Sequence, residues 1–481
     1  MDPSLTNADL APVPMAKRTW STWNIAALWI GMAVCIPTYT MASSLISGGM
    51  SWWQALIVVL LGNIIVLIPM TLNAHPGTAY GIPFPVLLRA SFGTRGSNVA
   101  ALLRGVVACG WFGIQTWIGG AAIYGTLAML FSWDLEKASM LPVLGISLAQ
   151  FASFMAFWLL NCIFIWKGME SIKWLEVFSA PFLLIVGVLL MAWAVNRANG
   201  FGPLFAQPST FKTSADFWLA FAGGVTAMVG FWSTLSLNIP DFSRYAKNQR
   251  SQIIGQAIGL PPTMAFYSFI GIVVTSATVI IFGEAIWDPV EVINRIGSPV
   301  LSCVALIALA VATLSTNIAA NVVSPANDFS NLFPKHISFR IGGMITAVIG
   351  ILIMPWKLLE SPDGYIFTWL IGYSALLGPI AGIMIADYFV LRKKHLEVDE
   401  LYRVKGIYTY HGGFSIAALL AFVCAVAPNL PGFLAQIDVL ESIPTWLKWI
   451  YAQAWFVGFA LGFLLYLVFR KISPVAIRRS F

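Results

Sequence analysis

The sequence predicts an all-α integral membrane protein with twelve transmembrane helices, and three observations carry that reading. Of 481 residues, 59% are hydrophobic and 10% charged, with a mean hydropathy of +0.82, far from the balance of a soluble domain. Apolar runs of about 20 residues, the length a helix needs to cross the hydrocarbon core, recur from end to end. Lys and Arg gather between alternate runs, which supports an even number of crossings.

The runs follow in order. The first, 24–46, contains NIAALWIGMAVCIPTY, where Gly31 and Pro37 predict an interruption: proline deletes a backbone hydrogen bond and glycine permits unusual torsions. The second is 52–72. PFPVLLRASFG, 83–93, is apolar but too short to cross, so an interfacial or re-entrant helix is expected there. The third, fourth and fifth are 98–131, 147–166 and 175–195. The sixth, 217–237, lies in FAGGVTAMVGFWSTLSLNIPDF, with Gly223, Gly224 and Gly230 ahead of Phe231-Trp232, and Asp241 with Arg244 is expected to tie down its end. The rest are 253–283, 299–323, a short ninth at 341–356, 365–391, 413–431 and 447–469.

Twenty of the 27 Lys/Arg fall in predicted inner segments and six in outer loops, with Arg104 inside the third run. Both termini are therefore expected in the cytoplasm of a bacterial-type inner or cell membrane. The net charge of +7 reflects topology and attraction to anionic lipid, with no nucleic-acid surface expected. The first twenty residues lack a basic n-region and a small-residue cleavage site, so no removable signal peptide is expected. Cys35, Cys109, Cys162, Cys303 and Cys424 all fall in apolar segments without paired spacing, and read as small hydrophobes. The four histidines lie at run ends or in loops, and none of the 20 Asp/Glu is expected mid-span; Asp387 comes nearest. That disfavours a membrane-embedded enzyme, a metal cluster, a cofactor site and a carboxylate proton relay alike. What remains for binding is amides, hydroxyls, indoles and carbonyls, suited to a neutral polar solute and a small hard cation.

Gly31 and Gly230 stand about 200 residues apart, as two five-span repeats with matching broken helices would place them, and broken helices are the best pointer to a secondary transporter's site, although glycine and proline are also simply frequent in membrane helices. Trp111 and Gln115 share a helix face one turn apart. An indole to stack on and a carboxamide that donates and accepts suit a flat heterocycle, although an interhelical bond beside a packing indole explains them too. In ATLSTNIAAN, at 100° per residue, Ala312, Ser315 and Thr316 cluster at about 0°, 300° and 40°, whereas Asn317 and Asn321 lie at about 140° and 180°. Two polar faces imply two tasks. A Ser-Thr pair beside the broken first helix could complete an oxygen cage for sodium, while either hydroxyl singly could bond back to the i−4 carbonyl.

WFGIQTW, NIPDFSRYAKNQ, ATLSTNIAANVVSPA, MPWKLLES, GYSALLGPIAGIMIADYF and LYRVKGIYTY, in that order, resemble the nucleobase cation symporter family, which includes bacterial hydantoin and allantoin permeases and plant plastid nucleobase transporters. The resemblance covers roughly residues 16 to 470. It implies a leucine-transporter-like five-plus-five inverted repeat with two additional C-terminal helices. The divisions are then a cytoplasmic tail 1–23, a first repeat 24–195, a second repeat 196–391, a cytoplasmic loop 392–412, two further helices 413–470 and a tail 471–481. Carried over residue by residue, Trp111 and Trp232 stack the substrate, and Gln115 and Asn321 bond it. The carbonyls of Gly31, Val34 and Ala312 and the hydroxyls of Ser315 and Thr316 hold sodium. Two positions depart from the hydantoin permease, which has glutamine at Cys35 and glycine at Phe231, so both are expected to line the substrate site of this chain with a different shape. The expectation is uptake of a small planar nitrogen heterocycle, with uracil ahead of purines, driven by sodium or protons. Allantoin or hydantoin transport is the near alternative, and a channel or solute-sensing receptor the distant one.

Overall fold

The computed structural model describes residues 2–131, 140–167 and 169–472, without the side chains of 169–180. Lys137, the side chain of Lys173, Arg478 and Arg479 with the expected tail from 473 lie outside the described residues. Each apolar run is a helix. The first is α1 (Thr22–Ala33) and α2 (Ile36–Ser47), followed by α3 (Trp52–Tyr80), the short α4 (Phe84–Phe92), α5 (Ser97–Phe131), α6 (Leu148–Lys167) and α7 (Met169–Arg197). The second half holds α8 (Ser214–Phe231), α9 (Ser233–Asn238), α10 (Gln249–Phe282), α11 (Pro299–Asn321), α12 (Val323–Leu332) and α13 (Phe339–Leu352). It closes with α14 (Gly364–Leu391), α15 (Ile416–Gln436) and α16 (Ala454–Ile472). Among the described residues β pairing is limited to isolated bridges. Nine helices there are long and apolar enough to cross a membrane, ten with α1–α2 counted as one bent span, while Pro181–Arg197 and α13 are apolar but shorter.

The broken helices are where the site is built, and both breaks fall later than the glycines suggest. α1 and α2 meet at 56°, with the break at Val34 and Cys35. Gly31 stays inside α1, and a Cβ there would meet nothing within 4 Å. Cys35 is extended (φ −146°, ψ 158°), and Pro37 occupies the first turn of α2, where its missing N–H leaves no helix carbonyl unserved. The sixth run breaks at Trp232 (φ −98°, ψ 0°), two residues beyond Gly230. Gly230 serves close packing instead: a Cβ there would lie 2.8 Å from the Leu370 carbonyl oxygen.

Two other expectations change. The eighth run does not stop at 323: after a break at Val322, α12 carries it to Leu332 and takes Asp328 inside the span. Every residue of α4 is buried, so this helix does not lie on a lipid surface. It is covered on all sides, with Phe84 N–H donating to Asp241 Oδ1 (2.9 Å) and Arg89 donating to the carbonyls of Leu401 (3.0 Å) and Leu5 (2.8 Å).

The basic segments gather at one end of the bundle. Arg18 donates to the Thr78 and Ala79 carbonyls, Trp20 pairs with Lys247 through the backbone, Tyr80 donates to the Lys394 carbonyl, and Arg392 to that of Ala90. Arg470 stacks over Tyr410 at 5.2 Å. Arg89, sealed in this end with an unpartnered Nε, has its guanidinium pulled down to about 10 by burial.

Candidate functional site

At the α1–α2 break, backbone carbonyls are released. Cys35 N–H turns to the Ala33 carbonyl (3.0 Å) and Thr38 N–H to that of Cys35 (3.1 Å), and not to Gly31 and Val34 four residues back. The oxygens of Gly31 and Val34 are thereby left without the helical donors that would close on them. α1 packs against α11, whose Ala312, Ser315 and Thr316 are buried. Thr316 Oγ1 donates to the Ala312 carbonyl (3.1 Å), which uses its proton and keeps its lone pairs free. Ser315 Oγ is buried with no hydrogen-bond partner, a costly state unless something is bound. Unclaimed carbonyls and hydroxyl oxygens are the donor set a hard monovalent cation takes. The break at Trp232 differs: the Gly230 carbonyl accepts from Ser233 Oγ (2.8 Å), Tyr373 OH (2.8 Å) and the Trp232 N–H.

The aromatic residues form a connected, packed cluster between α5, α8 and α14. Trp111 and Trp232 do not stack on each other; Phe231 stands between them, its ring centroid 5.1 Å from Trp111 and 5.0 Å from Trp232, at steep angles to both. Trp111 also meets Tyr365 (6.3 Å), Trp369 (6.0 Å) and Tyr373 (6.4 Å) edge-on, while Trp232 meets Trp29 of α1 (5.2 Å). The Trp29, Trp232 and Trp369 indole N–H groups and Gln115 Oε1 are buried without partners. Several unspent donors and an unspent acceptor around one aromatic group fit a planar ligand that carries both. Cys35 is buried at the break with its thiol against Thr38 Oγ1 (3.3 Å) in the first turn of α2.

The second polar face of α11 points to α5 and α6. Asn317 Nδ2 donates to the Phe112 carbonyl (3.2 Å), Thr116 Oγ1 (3.2 Å) and Asn161 Oδ1 (3.1 Å), and Asn321 Nδ2 donates to Asn317 Oδ1 (3.0 Å). Asn321 thus meets α5 through Asn317, away from the Ser315 face, as the helical angles require.

Sequence reasoning missed several neighbours. Trp369 and Tyr373 stand at i and i+4 in α14, the same spacing that singled out Trp111 and Gln115, so that signal was present. Trp29, in contrast, has no local mark. Arg104 and Asp328 form a fully buried ion pair (2.8 Å) joining α5 to α12. Asp241 accepts from Phe84 N–H and Ser324 Oγ (3.0 Å), and Ser324 also accepts from Asn238 Nδ2. Arg244 bonds the main-chain carbonyls of Asp241 and Asp9, so it makes no side-chain pair with Asp241.

Residues 12–458 match the family model described as a permease for cytosine/purines, uracil, thiamine and allantoin. A purine-uracil permease of Arabidopsis thaliana is 46% identical over 98% of this chain and 79% of its own length. The allantoin permease of Bacillus subtilis is 42% identical over 98% and 94%. Among solved structures, the inward-facing conformation of Mhp1 superposes with a TM-score of 0.80 at 26% identity, covering 99% of this chain and 96% of that one. Mhp1 in a closed conformation with bromovinylhydantoin bound, described as a nucleobase-cation-symport-1 family transporter, gives 0.77 at 26% identity over 99% and 98%. Continuous coverage by the family model, permease relatives and a shared transporter fold agree with the buried cluster of aromatic and amide side chains: the chain is a membrane transporter, not an enzyme, and belongs to the nucleobase-cation-symport-1 family of permeases.

Proposed function

We propose that this permease imports a nucleobase, uracil ahead of purines, together with sodium by alternating access. Twelve spans would then cross a cell membrane, with both termini in the cytoplasm, as two inverted five-helix repeats and two further helices. The observation that supports the reading is that α1 touches two sets of unspent groups: it packs on α11, which carries Ser315 and Thr316, beside its own released Gly31 and Val34 carbonyls, and through Trp29 it meets Trp232 of the aromatic cluster that holds Trp111, Phe231 and, one turn on in α5, Gln115. Sodium seated among the Gly31, Val34 and Ala312 carbonyls and the two hydroxyls would hold α1 against α11. The base would lie against Trp111 and Trp232, bonded by Gln115 and Asn321, with Phe231 and Cys35 as wall. Ligands move such an equilibrium only so far as they prefer one state over the other.

Uptake of radiolabelled uracil in a transporter-deficient strain, with sodium or choline outside, tests the coupling. Sodium-dependent uptake is expected, and Thr316→Ala should lower apparent sodium affinity at least about tenfold, the loss of roughly one charge-assisted ligand. Uptake indifferent to sodium but abolished by a protonophore assigns the coupling to protons instead. The likeness to the Bacillus subtilis allantoin permease supports allantoin as a second substrate, and competition by unlabelled allantoin, hydantoin, adenine, guanine and cytosine ranks them. Exchange of preloaded uracil for external uracil separates a carrier from a channel or receptor.

A further inference from the structure

The geometry points to Asn317 as a positioning residue that turns the Asn321 carbonyl toward the substrate, so that the site selects ligands offering an N–H group there. It rests on Asn321 contacting the substrate, as proposed above.

An amide's two ends look alike in shape, so its orientation has to come from its partners. Here the partners leave no choice. A backbone carbonyl only accepts, so the Phe112 carbonyl, 3.2 Å from Asn317, demands the NH2 end. Thr116 Oγ1 already donates its single proton to that same carbonyl (2.7 Å) and can only accept from Asn317 (3.2 Å). Asn161 Nδ2 is held by the Phe157 carbonyl (2.9 Å), which turns Asn161 Oδ1 to Asn317 (3.1 Å). Three acceptors therefore surround Asn317 Nδ2, and its Oδ1 is left facing Asn321. Only the Asn321 NH2 can answer it (3.0 Å). The Asn321 carbonyl oxygen is what remains, and no hydrogen bond occupies it among the described residues.

Residue 317 is fully buried, with no exposure of its own, so it acts on the ligand solely through Asn321. Gln115 Oε1 is a second unspent acceptor in the same region. A heterocycle in its oxo form, with ring N–H groups, satisfies such acceptors. Cytosine, which places a bare ring nitrogen where uracil has N3–H, meets the Asn321 carbonyl with a lone pair and leaves both unsatisfied.

Competition binding of uracil and cytosine to the purified full-length protein tests the assignment. Wild type should bind uracil at least about tenfold more tightly than cytosine, the discrimination expected from one unpaired polar contact. Asn317→Leu removes the acceptor that holds the Asn321 NH2, frees that amide to rotate, and should shrink the uracil-to-cytosine ratio about fivefold or more. Asn317→Asp, neutral in this buried place, keeps an oxygen opposite Asn321 Nδ2 and should restore the ratio to within about twofold of wild type. Asn317→Ala replaces the Leu variant if that protein does not stay monodisperse. A merely structural asparagine would lower protein yield in the Leu (or Ala) and Asp variants alike and leave the ratio alone, and that result overturns the assignment. Equal binding of cytosine and uracil by wild type overturns it without any variant. Asn321→Ala separates the two layers: unchanged uracil binding there removes the substrate contact itself, whereas lost binding there with an unchanged ratio in Asn317→Leu removes only the positioning role.

Discussion

Phe231 sets the spacing of the two indoles that flank it. It holds the Trp111 and Trp232 indoles apart by touching each near 5 Å, and its edge-to-face contacts are of the kind that stabilise aromatic clusters. Replacing it with alanine should cost about 3–5 kcal/mol of stability as a buried cavity and open the space between the indoles. Phe231→Ala is therefore expected to improve binding of a 5-substituted hydantoin relative to uracil at least about tenfold, the scale of a pocket contact worth roughly 1.4 kcal/mol. Competition binding on the detergent-solubilised variant reads this directly, and an unchanged ratio would show that Phe231 does not border the ligand. At this scale spacing along one helix was legible in the sequence, as with Trp111 and Gln115 at i and i+4, both buried in α5. The sequence was silent where a contact joins distant segments: nothing near Trp29 announces Trp232. Arg104 and Asp328 could each be seen, but their burial together could not, because the neutralising partner lies 224 residues away.

Between helices, glycines have two different uses. In α14, a Cβ on Gly382 would lie 2.2 Å from the Phe459 carbonyl oxygen, and one on Gly378 2.5 Å from that of Trp455; from the α16 side, Gly462 comes as close to Pro379. Backbone meets backbone there, so neither side can yield by rotating a side chain. Gly382→Val should push α14 and α16 apart and destabilise the protein by about 1–3 kcal/mol, seen as a lower unfolding temperature in detergent. Gly31→Ala should be neutral or stabilising by up to about 1 kcal/mol, since α1 is helical there and open space surrounds the position. The same variant should keep sodium dependence, because the proposed ligand is the carbonyl and not the side chain. A strong loss in Gly31→Ala would mean that torsional freedom at 31 is used during transport. These contrasts explain why the first break falls between Gly31 and Pro37, at neither of them, and the sixth run breaks two residues beyond Gly230. Glycine permits a break without demanding one, and Pro37 is tolerated in the first turn of α2, so the interruption settles upstream at Val34 and Cys35. Apolar runs were legible as helices because lipid enforces helices, and nine of those among the described residues, or ten with α1–α2, are long enough to cross, whereas the extension of the eighth run through Asp328 was hidden by an ion pair that only the folded bundle supplies.

Across the whole molecule, α11 would join the proposed sodium and substrate sites. One face carries Ala312, Ser315 and Thr316 toward the broken first helix; the other reaches α5 and α6 through Asn317 and presents Asn321. A rigid helix shared by both sites lets each ligand bias the same arrangement of α1, α5 and α11, which is the physical requirement for coupling. Linkage then makes a quantitative demand: whatever factor sodium gives to uracil affinity, uracil must give to sodium affinity. The expected factor is about 5–150, corresponding to a coupling free energy of about 1–3 kcal/mol. Uracil dissociation constants with and without saturating sodium, choline replacing it, supply one side of the equality. Sodium titrations followed by thermal shift, with and without saturating uracil, supply the other. Thr316→Ala should reduce both factors together, since it weakens the cation's hold on α11. Asn317→Leu should lower uracil affinity and leave sodium affinity without uracil near wild type, because its contacts are all on the opposite face. A factor of one in wild type would mean that the two sites, though built on one helix, do not select the same state.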